Sequence, residues 1–158
     1  MMGTGKSTVA PLVAERLHRA VIDTDAALES ATGGSIGDWF AGDVAAFRAA
    51  ERAVVVAAAG RDVVVACGGG VVLDPVAVAA MRSTGLVVCL EAPVAVLASR
   101  VGSGDGRPLL GAEPAAALAL IGRERDPLYR AAAQVTVAAS GEPDEVAEAV
   151  IAAWTSWS

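Results

Sequence analysis

Four short apolar runs, Ala20–Ile22, Val63–Cys67, Leu86–Leu90 and Val135–Ala138, are separated by longer segments in which apolar residues recur three or four positions apart. Such alternation of strand-like and helix-like segments predicts an α/β fold built on a parallel sheet. After Lys6, the positions Val9, Leu12, Val13 and Leu17 keep helical spacing, and Val76 and Met81 do so behind Asp74-Pro75. Both segments are expected to cover the sheet. At the far end, Val146, Val150, Ile151 and Trp154 share one helical face, which predicts a helix docked on the same domain. Between Val101 and Glu113 the period fails: four glycines and one proline stand there, the composition of a mobile loop.

The length of 158 residues suits one domain spanning 1–158. Hydrophobic residues make up 54%, but they are dispersed alanines and valines with no run long enough to span a bilayer. No membrane association is expected, and a cytoplasmic location is the default without a recognisable signal peptide. The net charge of −6 argues against a nucleic-acid partner, which would require clustered Lys and Arg. Lys6 is the one lysine in the chain. Cys67 and Cys89 lie inside apolar runs, as buried reduced thiols would, and the single histidine, His18, gives no metal-site pattern.

The opening Gly3-Thr4-Gly5-Lys6-Ser7-Thr8 carries all of a Walker A loop except its first glycine. Small residues let backbone N–H groups reach phosphate oxygens. Lys6 suits the β/γ-phosphates, the Ser7 hydroxyl suits Mg²⁺, and the following helix turns its positive end toward the anion. This points to ATP and Mg²⁺ and leaves the acceptor open. Asp23 and Asp25 follow the strand Ala20–Ile22, at the sheet end where ligands gather. As strand residues two apart they would point the same way, one toward a metal-bound water and one toward an attacking hydroxyl. A pair of helix-capping aspartates is the alternative.

The ordered set GTGKST, Asp23-Thr24-Asp25, Thr32-Gly33-Gly34-Ser35-Ile36, Phe47-Arg48-Ala49-Ala50-Glu51, Gly68-Gly69-Gly70, Arg107-Pro108-Leu109-Leu110 and Arg125-Asp126-Pro127-Leu128-Tyr129 resembles the shikimate kinase family over nearly the whole chain. The resemblance implies a three-layer P-loop kinase, monomeric, that phosphorylates shikimate from ATP. Its substrate-binding segment would run over about 23–52 and its lid over about 101–113. It implies that Asp25 binds and activates the accepting hydroxyl, that Asp23 orients the magnesium shell, and that Arg48 and Arg125 clamp the shikimate carboxylate. It also places substrate contact at Gly68, Gly69 and Gly70. Gly3 through Thr8 would hold the phosphates, and Arg107 would act as the lid arginine. Arg100 would flank the adenine, unless it is a helix-end arginine answering the helix dipole. Arg48 could equally be a solvated helix residue paired with Glu51.

The chain departs from the family at Pro11, inside the helix after the loop, and at Val44, where an acidic residue is usual. It departs again at Ser140 and Gly141, which are small where a larger polar group often faces adenine. The resemblance further implies a first strand, ahead of the loop and between Val63–Cys67 and Leu86–Leu90, that the chain as written lacks. A form extended by that strand is expected to be more stable and more active. Alternative functions are a P-loop kinase for another small polyol acid such as gluconate, or a nucleotide-binding module without activity.

Overall fold

A computed structural model of the chain describes residues 1–102, 109–110 and 113–157, with residues 40 and 41 described by their backbone. The strands are β1 (Ala20–Asp23), β2 (Val63–Ala66), β3 (Val88–Glu91) and β4 (Val135–Ala138). The helices are α1 (Lys6–Arg16), α2 (Thr24–Thr32), α3 (Ile36–Ala41), α4 (Val44–Ala58), α5 (Pro75–Thr84), α6 (Val94–Val101), α7 (Pro114–Ala132) and α8 (Pro143–Trp157). All four predicted strands form, three of them shifted by a residue or two at one or both ends and Val135–Ala138 unchanged. Strand and helix alternate as the pattern requires, and every described strand pair is parallel.

The ladder is in two pieces. β1 pairs with β2 from Ala20↔Val63 to Asp23↔Ala66, and β3 pairs with β4 from Val88↔Val135 to Glu91↔Ala138. No described strand joins β2 to β3. Between them lies a cavity of 510 Å³, lined by Val63–Ala66, Val87–Leu90 and the Val9 and Val13 side chains of α1. The strand edges that face it carry backbone donors and acceptors with no strand partner among the described residues.

Helices hold the two pieces together. α1 and α8 pack with β4 around Val9, Val13, Val137, Val146 and Ala147, and Val64, Val88 and Leu90 of β2 and β3 add to that cluster. α6 and α7 close around the buried Leu97, Leu110, Leu118 and Ile121. α4 and α5 meet at Val55, Val71 and Ala77. Full burial of one such leucine contributes about 1.5–3 kcal/mol, so the clusters outweigh any single polar contact in the fold.

Local signals set the helix ends. α1 continues through Pro11 and stops where His18 takes φ 53, a left-handed termination usually left to glycine. Asp23, Ser35, Asp43 and Asp74 cap α2, α3, α4 and α5. Among the described residues no helix is long and apolar enough to cross a membrane.

Candidate active site

The phosphate loop meets α1 at Gly5, which sits at φ 86, and Gly3 sits at φ 77 with the position of an added Cβ only 3.0 Å from the Leu97 carbonyl. Conformation and crowding both demand glycine at Gly3. α1 has no side-chain cap and no acid in its first turn, so its leading N–H groups stay available to an anion. Thr4 is buried and donates its hydroxyl to the Met1 carbonyl at 2.9 Å. Lys6 donates to that carbonyl at 2.6 Å, and burial pushes its ammonium below the ordinary lysine value despite the nearby Asp25 charge. A desolvated cation held beside an uncapped helix start suits polyphosphate.

Ser7 donates its hydroxyl to Asp23 Oδ2 at 2.7 Å, which brings two hard oxygen ligands side by side as Mg²⁺ requires. Asp23 Oδ1 meanwhile accepts from the Asp25 and Ala26 N–H groups at 3.0 and 3.2 Å. The aspartate is therefore both helix cap and candidate metal-shell group. One expectation is corrected here: Asp23 and Asp25 do not share a strand face, because β1 ends at Asp23 and Asp25 lies in the first turn of α2. The capping bonds start the helix and break the alternation. Asp25 is held above the usual aspartate range, chiefly by burial and then by the Asp23 charge, with Lys6 opposing.

Arg48 projects from α4 onto Glu51, Nη1 to Oε2 at 2.5 Å, and its guanidinium lies 4.9 Å from the centre of the Phe47 ring. The pair with Glu51 is real, but it is not a solvated one. Glu51 is 2% exposed, its second oxygen Oε1 has no hydrogen-bond partner among the described residues, and burial raises its carboxyl above the ordinary range. Support for Arg48 thus comes from Glu51. Val44 is exposed at the start of α4.

Gly68, Gly69 and Gly70 lie where these side chains converge, and each meets a different neighbour. A Cβ at Gly68 would come within 2.6 Å of both Asp25 Oδ1 and Glu51 Oε1, and one at Gly70 would overlap the Arg48 guanidinium. The Gly68 N–H is already used, donating to the buried Thr24 hydroxyl oxygen at 2.9 Å. The Gly69 carbonyl accepts from Tyr129 Oη at 2.6 Å and from Arg125 Nη1 at 3.4 Å, both on α7. Asp126, next to Arg125, instead faces Arg130 at 3.8 Å. The triplet is accordingly tied at Gly68 and Gly69 rather than wholly open.

Arg100, in the last turn of α6, donates to the Ala139, Ser140 and Gly141 carbonyls at 2.6, 3.4 and 3.3 Å. It binds α6 to the loop after β4 rather than to its own helix end. Arg107 lies outside the described residues. Lys6, Ser7, Asp23, Asp25, Arg48, Arg125 and the glycine triplet fall around the carboxyl ends of β1 and β2. Three neighbours of the candidate site, Thr24, Glu51 and Tyr129, were given no site role from the sequence, Glu51 only as a solvated partner of Arg48. Glu51 had a signal: on α4 it falls in register with Phe47, Val55 and Ala58, all buried.

The shikimate kinase family profile matches residues 2–155. A shikimate kinase of Halorhodospira halophila is 46% identical over 145 residues, covering 89% of this chain and 81% of the relative. One from Thermobifida fusca is 43% identical over 151 residues, covering 94% and 87%. Among solved structures, a shikimate kinase from Acinetobacter baumannii in complex with shikimate superposes with TM-score 0.92 at 32% identity, covering 98% of this chain and 89% of that one. With the phosphate loop, the carboxylates and the two arginines arranged as described, the chain belongs to the shikimate kinase family.

Proposed function

We propose that this chain transfers the γ-phosphoryl group of ATP to the 3-hydroxyl of shikimate. What carries the proposal is the convergence of two guanidinium groups, Arg48 beside Gly70 and Arg125 beside Gly69, on a glycine loop that also borders Asp25. Paired guanidiniums fit a carboxylate and fix its orientation, and Asp25 is then left to face a hydroxyl.

Mg²⁺-bound ATP supplies the transferable phosphoryl group, and Ser7 and Asp23 are the oxygen ligands suited to its metal shell. The α1 amides and Lys6 bind and orient the polyphosphate. Asp25 accepts the proton of the attacking hydroxyl, a task its raised basicity favours. Arg48 and Arg125 hold the acceptor so that its hydroxyl faces the phosphate loop. Arg100 orders the loop over Ser140 and Gly141 on the adenine side. Arg107 is proposed as the lid cation.

The test is ADP release by the purified chain with Mg-ATP and shikimate, gluconate or no acceptor, followed by NMR of the product. Shikimate-dependent turnover with phosphate on the 3-hydroxyl is expected. Preference for gluconate would overturn the acceptor, and ATP binding without turnover would mark a nucleotide-binding module instead.

A further inference from the structure

Tyr129 is the only tyrosine in the chain, and it is buried to 9% exposure on α7, one turn after Arg125. Both side chains donate to one acceptor, the Gly69 carbonyl, but unequally. The phenol sits at 2.6 Å and the guanidinium at 3.4 Å, near the limit of a hydrogen bond. A carbonyl oxygen has two lone pairs, so both bonds coexist. Burial raises the phenol above its ordinary value, which keeps it a neutral donor across the working pH range.

We infer that Tyr129 is a positioning residue that holds the Gly69 carbonyl so that Arg125 can leave it for the carboxylate of the acceptor. The inference rests on the acceptor proposed above. Gly69 is half-buried, and a carbonyl there that loses its donors pays a cost to the extent that water does not replace them. Without the phenol, Arg125 is its remaining side-chain donor, and pulling the guanidinium onto a ligand would orphan the oxygen. That cost would be charged to ligand binding. With the phenol in place, Arg125 gives up its long bond to the carbonyl and its contact with the phenol, and the carbonyl stays satisfied. The tyrosine touches neither reacting atom, so its effect should appear in acceptor affinity and not in phosphate binding.

The experiment compares wild type with Tyr129→Phe, which removes the donor and keeps the ring. Calorimetric titration and steady-state kinetics should show shikimate Kd and KM raised about 5- to 100-fold, with ATP affinity and kcat close to wild type. The shikimate analogue whose carboxylate is reduced to a hydroxymethyl group should bind both proteins alike. In an Arg125→Ala background, Tyr129→Phe should add nothing to the loss of shikimate affinity. Unchanged shikimate affinity, equal losses for shikimate and ATP, or additive losses with Arg125→Ala would each overturn the inference. Should Tyr129→Phe not fold, incorporation of 3-fluorotyrosine labels this one position. Its ¹⁹F resonance should move on saturation with shikimate and stay put with the hydroxymethyl analogue, and a resonance indifferent to both would overturn it. Wild type that fails to bind shikimate defeats the acceptor assignment and this inference together. Wild type that binds it, with Tyr129→Phe equal to it, defeats the inference alone.

Discussion

Replacing Gly70 with alanine isolates the seat of Arg48 from every other demand on the loop. Gly70 has φ −92 and ψ −10, a right-handed conformation that any L-residue adopts, so the substitution adds no backbone strain. What it adds is a methyl group in the space of the Arg48 guanidinium, overlapping Nη1, Nη2 and Cζ. Ordinary contact lies at about 3.5–4.0 Å, so the guanidinium must retreat by more than about 1 Å. The guanidinium ends a long side chain, but it also pairs with the buried Glu51 carboxylate, so its retreat weakens that bond and the urea-derived stability should fall by about 1–3 kcal/mol. Binding is another matter. Hydrogen bonds to charged groups contribute roughly 1.5–3 kcal/mol, so loss of the Arg48 arm of the clamp should raise the shikimate Kd about 10- to 150-fold. Calorimetric titration with shikimate, and with ATP as the control, measures both effects. In an Arg48→Ala background, Gly70→Ala should cost nothing further. Unaltered shikimate affinity in a folded Gly70→Ala protein would refute the placement of Arg48 in the clamp.

Two other perturbations follow from the same structure. Glu51→Gln tests the buried carboxylate: its folded pKa is raised, so its contribution to stability is fullest below the unfolded value of about 4.3 and is lost as pH rises through the folded one. Urea midpoints measured from pH 4 to 7.5 should therefore show wild type losing ground to Glu51→Gln with rising pH, and a gap that stays level would mean the Arg48 charge fully offsets burial. Joining a short apolar strand that ends in glycine ahead of Met1 should fill the space between β2 and β3, raise the urea midpoint and increase turnover. Equal midpoints would show that the two ladders need no common neighbour.

The parts of the molecule legible in the chain are those set by local chemistry. Four apolar runs became four parallel strands because each is short, β-branched and bounded by turn residues. The phosphate loop was legible because the spacing of its glycines and lysine answers to an anion, although Leu97 of α6 also requires glycine at Gly3. Burial was less legible. Glu51, three residues after Arg48, has the spacing of an ordinary surface pair, and only the phase of α4 shows that it lies in line with Phe47 and Val55. Asp23 and Asp25 were given strand geometry, whereas a single capping side chain decides that the strand ends and a helix begins. Thr24 and Tyr129 act across 44 and 60 residues of sequence, and no local pattern encodes such pairings.

One physical consequence joins these contacts. Four candidate ligand-binding side chains already have an internal partner: Lys6 has the Met1 carbonyl, Ser7 has Asp23, Arg48 has Glu51 and Arg125 has the Gly69 carbonyl. Ligand binding is then an exchange of partners, and affinity depends on what is left behind as much as on what is gained. The two arginines proposed to clamp the carboxylate leave behind unlike things. Arg125 leaves a neutral carbonyl that Tyr129 continues to satisfy, so its departure costs little. Arg48 would leave a buried carboxylate whose other oxygen has no partner among the described residues, and a guanidinium that moved wholly onto a ligand would strand that charge. Arg48 has five donors, enough to bridge, so the favourable arrangement keeps Glu51 bonded while the remaining N–H groups turn to the carboxylate. Glu51 therefore sets the orientation of the guanidinium, and the two arms of the proposed clamp would differ in kind: Arg48 held in place and shared, Arg125 released.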